Sequence, residues 1–255
     1  MNLGSVAEST ATLVRIARKL RSLRVIDNRE LHLLHEQFHL CRLLKLLDVD
    51  CVFDVGANYG QYASMLRQKA GFKGLIISFE PIPDAATKLF EMARHDPHWV
   101  VEGIALSRES GTTDFHIMAS SRFSSLGTPR HDEVKIFGQN RIVDTVVVRT
   151  ETLGSAFQRL QAKLGFKRPF LKLDTQGFDV EIINSGRDVI PNFVGLQSEL
   201  AVKKIYDQSV DFRQALSTYQ SLGFELSAFV PNNAGHFPFL IECDCIMVRA
   251  DLAAA

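Results

Sequence analysis

The chain has 255 residues, of which 46% are hydrophobic and 23% charged. That suits one large α/β domain with an appendage, or two small domains, and excludes a mainly disordered chain. Lys and Arg number 29, as do Asp and Glu, for zero formal net charge; the basic excess of a general nucleic-acid binder is missing, although a local basic patch is not excluded.

The first residues read as helical. Leu13, Ile16, Ala17 and Leu20 follow helical spacing, and Leu31, Leu34, Phe38 and Leu43 to Leu47 carry a second apolar face, with Asp27 and Asn28 as its cap. Residues 1–49 are therefore expected to form a helical cap, and residues 50–255 the main domain. Arg15, Arg18, Lys19, Arg21 and Arg24 interrupt every early apolar run, so no signal peptide is expected. No apolar run reaches roughly 18 residues, so the expectation is a soluble, cytoplasmic protein without integral membrane association. Cys41, Cys51, Cys243 and Cys245 are read as reduced structural cysteines, because a chain this long needs no disulfide scaffold.

From residue 51 the pattern alternates. Segments 51–55, 75–79 and 100–106 predict strands, and 60–69 and 85–95 predict the helices between them. This order implies parallel strands joined by right-handed crossovers. Segments 112–119 and 143–149 alternate as sheet strands, and between them lies a polar loop over 120–140 of the kind that carries function. A helix over 153–164 ends at Gly165, a fourth parallel strand covers 170–174, a helix 178–184, a fifth strand 193–199 and a helix 212–222. Segments 224–230 and 241–249 read as an antiparallel terminal pair.

The first strand runs into Asp54-Val-Gly56-Ala-Asn58-Tyr-Gly60. Its G-x-x-x-G spacing departs from the G-x-G-x-x-G of dinucleotide folds. A cofactor without a pyrophosphate suits it, and S-adenosylmethionine has a carboxylate and an amine in that place. Asp54 is suited to the amine, and the helix start at Gly60 offers N–H groups to the carboxylate. The second strand ends in Glu80-Pro81, where an acid can accept hydrogen bonds from both ribose hydroxyls. The expected cofactor set is Asp54, Gly56, Asn58, Gly60, Glu80, Pro81, Ala105 and Asp174.

VFDVGANYGQYA, SFEP, LKLDTQGFDVEIINSG, LQSEL and the terminal ECDCIMVR together resemble the FkbM family of methyltransferases over most of the chain. The resemblance implies an α/β, Rossmann-like methyltransferase fold; with the periodicity above, the expectation is a mostly parallel central sheet with an antiparallel terminal strand and an N-terminal helical cap. It further implies S-adenosylmethionine dependence and O-methylation of a hydroxyl on a sugar, glycoside or related natural-product metabolite. The family often shows D-x-E-G-x-E in the fourth-strand block; here Gln176 and Asp179 stand at the acidic positions, and Gln176 removes one charge.

An alcohol needs a base or a metal to become a nucleophile near neutral pH. Asp174 ends the fourth strand and Glu199 the fifth, and Asp244 lies in the terminal pair. These three could converge on magnesium, which prefers oxygen ligands and which the resemblance allows; alternatively one carboxylate acts alone as base. His236 is the leading histidine base, and Ser124, Ser125, His131 and Gln176 are candidate acceptor contacts. The expected partner is a small-molecule or glycan acceptor, with no nucleic acid. Asp96-Pro97-His98-Trp99 resembles the D-P-P-[YW] motif of base-methylating enzymes, but it precedes the third strand instead of following the fourth. A nicotinamide-dependent oxidoreductase and a cofactor-binding module without catalysis are the alternatives.

Overall fold

The computed structural model describes residues 31–118, 126, 142–204, 206, 209–231 and 238–252. The expected first helix, the cap at Asp27 and Asn28, and most of the 120–140 loop lie outside the described residues. The chain divides into two compact units, Met1–His35 and Glu36–Ala255. Helix α1 (Leu31–Leu46) buries Leu40, Leu43 and Leu44 in the core of the larger unit.

Strand β1 (Cys51–Val55) is buried at every position, as an apolar run in the centre of a covered parallel sheet must be. It is followed by α2 (Gln61–Gln68), β2 (Leu75–Phe79), α3 (Pro83–Ala93) and β3 (Trp99–Glu102). Pro83 fits the first turn of α3, where its missing N–H has no helical partner to lose. Next come β4 (Ala105–Leu106), β5 (Gly111–Met118), β6 (Ile142–Glu151), α4 (Leu153–Leu164) and β7 (Pro169–Leu173). The Thr152 side chain caps α4 by accepting from the Ser155 amide, and Gly165 ends it in the left-handed conformation. Strand β7 leads to α5 (Asp179–Asn184), β8 (Gly195–Ala201), α6 (Phe212–Ser221), β9 (Phe224–Pro231) and β10 (Glu242–Arg249).

Among the described residues seven strands form the central sheet, in the order β3-β2-β1-β7-β8-β10-β9. Within it β3, β2, β1, β7 and β8 pair in parallel, while β10 runs antiparallel to both β8 and β9. The mostly parallel sheet with an antiparallel terminal strand is therefore present. The strand order turns around between β1 and β7, so the crevice for a ligand lies at the carboxyl ends of those two strands.

Two departures from the sequence reading concern the third and fifth strands. Residues 100–106 do not form one strand: β3 stops at Glu102, and β4 leaves the main sheet to pair in parallel with β6. Strands β5 and β6 pair antiparallel, giving a second sheet in the order β4-β6-β5. Gly103 is the break, and the apolar Ala105 joins Phe115 and Val148 in a separate small core. The fifth strand starts at Gly195, since Ile190–Asn192 makes a single 3-10 turn that tucks Phe193 into the core.

Side chains alternate between the two faces of the sheet. Phe53, Ile77, Leu171 and Leu196 meet α4, α5 and α6 on one face; Val52, Ile76, Phe170 and Ile246 meet α1, α2 and Leu89 of α3 on the other. On the first face Phe53 sits 5.4 Å from both Phe166 and Phe193, edge to face, and 5.7 Å from Phe79. Such edge-to-face pairs add to the area that the rings bury. Phe53→Ala should lower the unfolding free energy by about 3–5 kcal/mol, read as a drop in urea midpoint with an unchanged slope. A loss under about 1 kcal/mol would mean that the cluster tolerates the cavity.

Candidate functional site

The face toward α1 and α2 is not purely apolar. In register across four strands stand Ser78, Asp54, Lys172 and Gln197, all buried. They form a continuous chain of contacts. Trp99 Nε1 donates to Ser78 Oγ at 3.0 Å, and Ser78 Oγ donates to Asp54 Oδ2 at 3.1 Å. Lys172 Nζ lies 3.2 Å from Asp54 Oδ1 and donates to the Gly56 carbonyl at 3.3 Å. The Tyr62 hydroxyl donates to Gln197 Oε1 at 2.9 Å, and Gln197 Nε2 donates to Glu36 Oε1 at 2.7 Å and to Asp244 Oδ2 at 3.3 Å.

Lys172 also stands 3.6 Å from Asp174 Oδ2 and 5.2 Å from the centre of the Tyr62 ring. Burial pulls its ammonium pKa down, but Asp54 and Asp174 outweigh that and hold it above the usual lysine range. The cation is therefore kept, because each neighbour on its far side is a carboxylate or a carbonyl.

The loop after β1 is shaped by close backbone approach. Gly56 has φ 77°, and a Cβ there would stand 2.0 Å from the Asp174 carbonyl oxygen. No other residue fits that contact. The tip of β1 and the tip of β7 are thereby locked together, with the Asp174 amide donating to the Val55 carbonyl. Asn58 is also left-handed, at φ 49°, and Gly60 turns the chain into α2.

Glu80, at the tip of β2, is 4% exposed. Its two carboxylate oxygens accept from the backbone amides of Asn58, at 2.7 Å, and Ile82, at 2.8 Å. Burial lifts its pKa to about 7 even though both hydrogen bonds favour the charged form. Pro81 lies beside it at the start of the turn into α3. Among the described residues, Asp54 Oδ1 has its ion pair with Lys172 but no hydrogen bond of good geometry, and Asn58 Oδ1 has no donor; both atoms are buried. A ligand that brings hydroxyl and ammonium donors to this loop fits those acceptors, and S-adenosylmethionine carries both. Ala105 is buried in β4, in a small core with Phe115 and Val148.

Beyond β7 the chain makes a tight turn through Asp174, Thr175, Gln176 and Gly177. Asp179 holds it, accepting from both the amide and the hydroxyl of Thr175 and from Ser198 Oγ. Gln176 is left-handed at φ 54° and nearly buried. Its Nε2 donates to Asp174 Oδ1 at 3.2 Å and to Glu199 Oε2 at 2.7 Å, and its Oε1 accepts from the Tyr206 hydroxyl at 3.1 Å. The turn thus brings Asp174 and Glu199 together, as their positions at neighbouring strand tips imply, with an amide bridging them. Asp174 keeps 42% of its side chain exposed. Glu199 is pushed well above the ordinary carboxylate range, first by burial and then by Glu242, Asp174 and Asp244.

The expected magnesium set does not fit these residues. Among the described residues no group of three or more His, Cys, Asp or Glu is placed to hold a metal ion. Between Asp174 and Glu199 the amide hydrogens of Gln176 stand where a cation would bind, and Asp244 is turned toward Gln197 instead. Ser124, Ser125, His131 and His236 lie outside the described residues. Trp99 is a core aromatic that ties β3 to Ser78, and Asp96 pairs with Arg67 at 2.7 Å.

The sequence reading of the site missed Gln197, Tyr62 and Tyr206, and it weighed Lys172 only as an ion-pair partner for the strand-tip acids, a pairing that Asp174 makes. Lys172 had a visible signal: a lone cation in the middle of a buried strand is rare unless paired. Gln197 and Tyr62 carried none, because their partners arrive from remote parts of the chain.

A family model described as the methyltransferase FkbM domain matches residues 54–226. No curated protein matches the sequence. Among solved structures, the chain is similar to magnesium protoporphyrin IX methyltransferase from Synechocystis PCC 6803 with bound S-adenosylmethionine, at 9% identity, TM-score 0.42, and coverage of 89% of this chain and 86% of that one. It is also similar to fibrillarin from Aeropyrum pernix with natively bound S-adenosylmethionine, at 13% identity, TM-score 0.42, and coverage of 78% and 66%. A third is the fibrillarin pre-rRNA processing protein from Methanococcus jannaschii, at 10% identity, TM-score 0.43, and coverage of 79% and 67%.

The buried pair makes its own prediction. Lys172→Met leaves Asp54 without a counter-charge and should cost about 3–5 kcal/mol of stability, measured by urea unfolding. Pairing it with Asp54→Leu should recover much of that loss, since the burial cost then falls on neither charge. Losses that simply add would show that the two charges act independently.

Proposed function

The chain belongs to the FkbM methyltransferase domain family, an S-adenosylmethionine-dependent family, and on that premise we propose that it methylates a hydroxyl group of a sugar, glycoside or related metabolite. The observation that carries this reading is Asp174: a half-exposed carboxylate at the tip of β7, with its backbone in contact with Gly56 of the cofactor loop. A hydroxyl must lose its proton as its oxygen attacks, and a carboxylate beside the methyl donor can take it.

The bound cofactor supplies the methyl group and the sulfur leaving group. The protein's work is to orient the acceptor and to receive its proton. Asp174 accepts that proton as the new carbon–oxygen bond forms and the methyl–sulfur bond breaks, and later releases it to water. Lys172 and the Gln176 amide flank Asp174 and hold its carboxylate in place. Glu80 receives the ribose hydroxyls, Asp54 and Asn58 face the amino-acid end, and the backbone at Gly56 and Gly60 leaves room for it. Gln176 serves as a brace between the two acids, not as an acceptor contact, because it is buried and engaged on both ends of its amide. A magnesium ion is no part of this scheme, for the reason of the donor set given above. The nicotinamide alternative loses its basis with the family assignment, and the reactive edge at Asp174 favours catalysis over a passive binding module.

Incubation with S-adenosylmethionine and a panel of glycosides should yield O-methylated product and S-adenosylhomocysteine. A methyl group found on nitrogen or carbon of the acceptor would overturn the hydroxyl reading. Asp174→Asn should reduce turnover by about 10²- to 10⁴-fold while calorimetric affinity for S-adenosylmethionine stays the same; normal turnover in that variant removes Asp174 from the chemistry. Turnover should also survive EDTA.

Glu80 sets a pH dependence of cofactor binding. Only its ionised form accepts from two hydroxyls, and its pKa is about 7. S-adenosylmethionine affinity should therefore tighten by about tenfold from pH 6 to pH 8, with proton release seen as a buffer-dependent binding enthalpy. Glu80→Gln should bind more weakly and show a flat profile. A flat profile in the unaltered protein would place the ribose elsewhere.

A further inference from the structure

Beside Glu199, at the carboxyl end of β8, a small open recess, with room for a group about the size of one water molecule, is lined by the acids Asp179, Glu199 and Glu242 together with Tyr206, Ser209 and Tyr219. Two of these acids already have partners. Asp179 holds the turn at Thr175 and the hydroxyl of Ser198, and Glu199 accepts from Gln176.

Glu242 differs. Its residue is only 8% exposed, and among the described residues no hydrogen-bond donor or cation reaches its carboxylate. Among the described residues no lysine, arginine or histidine lines the recess. In the register of β8 and β10, Glu199 faces Asp244 and Glu242 faces Ala201. Glu199 and Glu242 are therefore diagonal neighbours on one face of the sheet. Burial and the negative neighbours Asp174 and Asp179 lift the Glu242 carboxyl to about 8.

A buried carboxylate without a donor is costly, and it takes up either a proton or a cation. The described residues offer no third acid in the geometry that a metal ion needs. An ammonium group has three donors and a compact charge, which suits two carboxylates on one face. The recess takes a group no larger than the ammonium itself, and Val180, Leu200 and Ala215 make the rest of its wall partly apolar. Gln176 links Glu199 to Asp174 directly, so a molecule seated here lies next to the carboxylate that would activate its hydroxyl.

We propose that the acceptor carries a protonated amine, as in an amino sugar, and that Glu199 and Glu242 bind its ammonium group while a neighbouring hydroxyl meets Asp174. This rests on the hydroxyl-methylation reading above and adds the substrate class to it. The amine is an anchor and is not itself methylated.

The test is a set of methyl aminodeoxy glycosides that differ in the position of the amine, each beside its N-acetyl and its hydroxyl counterpart. Affinity is measured by calorimetry with S-adenosylhomocysteine bound, and turnover with S-adenosylmethionine, both at pH 7. At least one amine should bind about tenfold more tightly than both of its neutral counterparts, and Glu242→Gln should abolish the difference without changing affinity for S-adenosylmethionine. The comparison of amine with N-acetyl compound needs only the unaltered protein, so it stands even if the variant misfolds. If neutral glycosides are bound and methylated as well as every amine, the amine anchor is overturned and hydroxyl methylation stands. If S-adenosylmethionine binds but no glycoside of either kind is methylated, both readings fall.

Discussion

An ammonium buried in the middle of a parallel sheet is costly to desolvate, and the cost is tolerable only where charged and polar groups surround it on every side. Lys172 meets that condition through Asp54, Asp174 and the Gly56 carbonyl. These three partners come from the tip of β1, the loop behind it and the tip of β7. Holding the lysine therefore holds the two strand ends at one spacing, and that spacing is the crevice where the strand order reverses. The contact at Gly56 makes it rigid, since the backbone of the loop touches the backbone of Asp174 with no room for a side chain.

The row extends sideways from that pair. Ser78 and Trp99 tie it to β2 and β3, and Gln197 carries it to β8, α1 and α2 through Glu36 and Tyr62. The network runs from the strand that bears Glu80 to the strand that bears Glu199. Polar networks of this type rigidify and specify a single packing when their members are satisfied. Among the described residues the buried acceptors left over, on Asp54 and Asn58, lie at the glycine loop after β1. Unfilled acceptors in an otherwise filled network mark where donors from outside belong.

The opposite face has a different task. There the Phe53 cluster and the apolar sides of α4, α5 and α6 form a mainly apolar core, with one buried polar cluster where Ser198 meets Asp179 and the Tyr219 hydroxyl. The division of labour follows the alternation of each strand: Phe53 points one way and Asp54 the other, Leu171 one way and Lys172 the other. One residue of register slip in β7 would exchange the lysine with a leucine and lose both faces at once.

The sequence by itself determined the local elements, the strand-tip acids and the glycine loop. Buried apolar runs such as 51–55 and 169–173 have no stable alternative to a covered strand, and Gly56, Glu80 and Asp174 follow directly from where those strands end. It also carried the family motifs. Tertiary structure alone decided the rest. That 100–106 splits at Gly103 depended on β6, a strand more than thirty residues away. That Gln176 braces two acids depended on Glu199 and Tyr206 arriving beside it. That no described residue brings a donor to Glu242 could be seen only once its neighbours were in place. Periodicity reports which face of an element is apolar; it carries no record of which distant side chain completes a hydrogen bond, because that choice is made by the packing of strands and helices far apart in the chain.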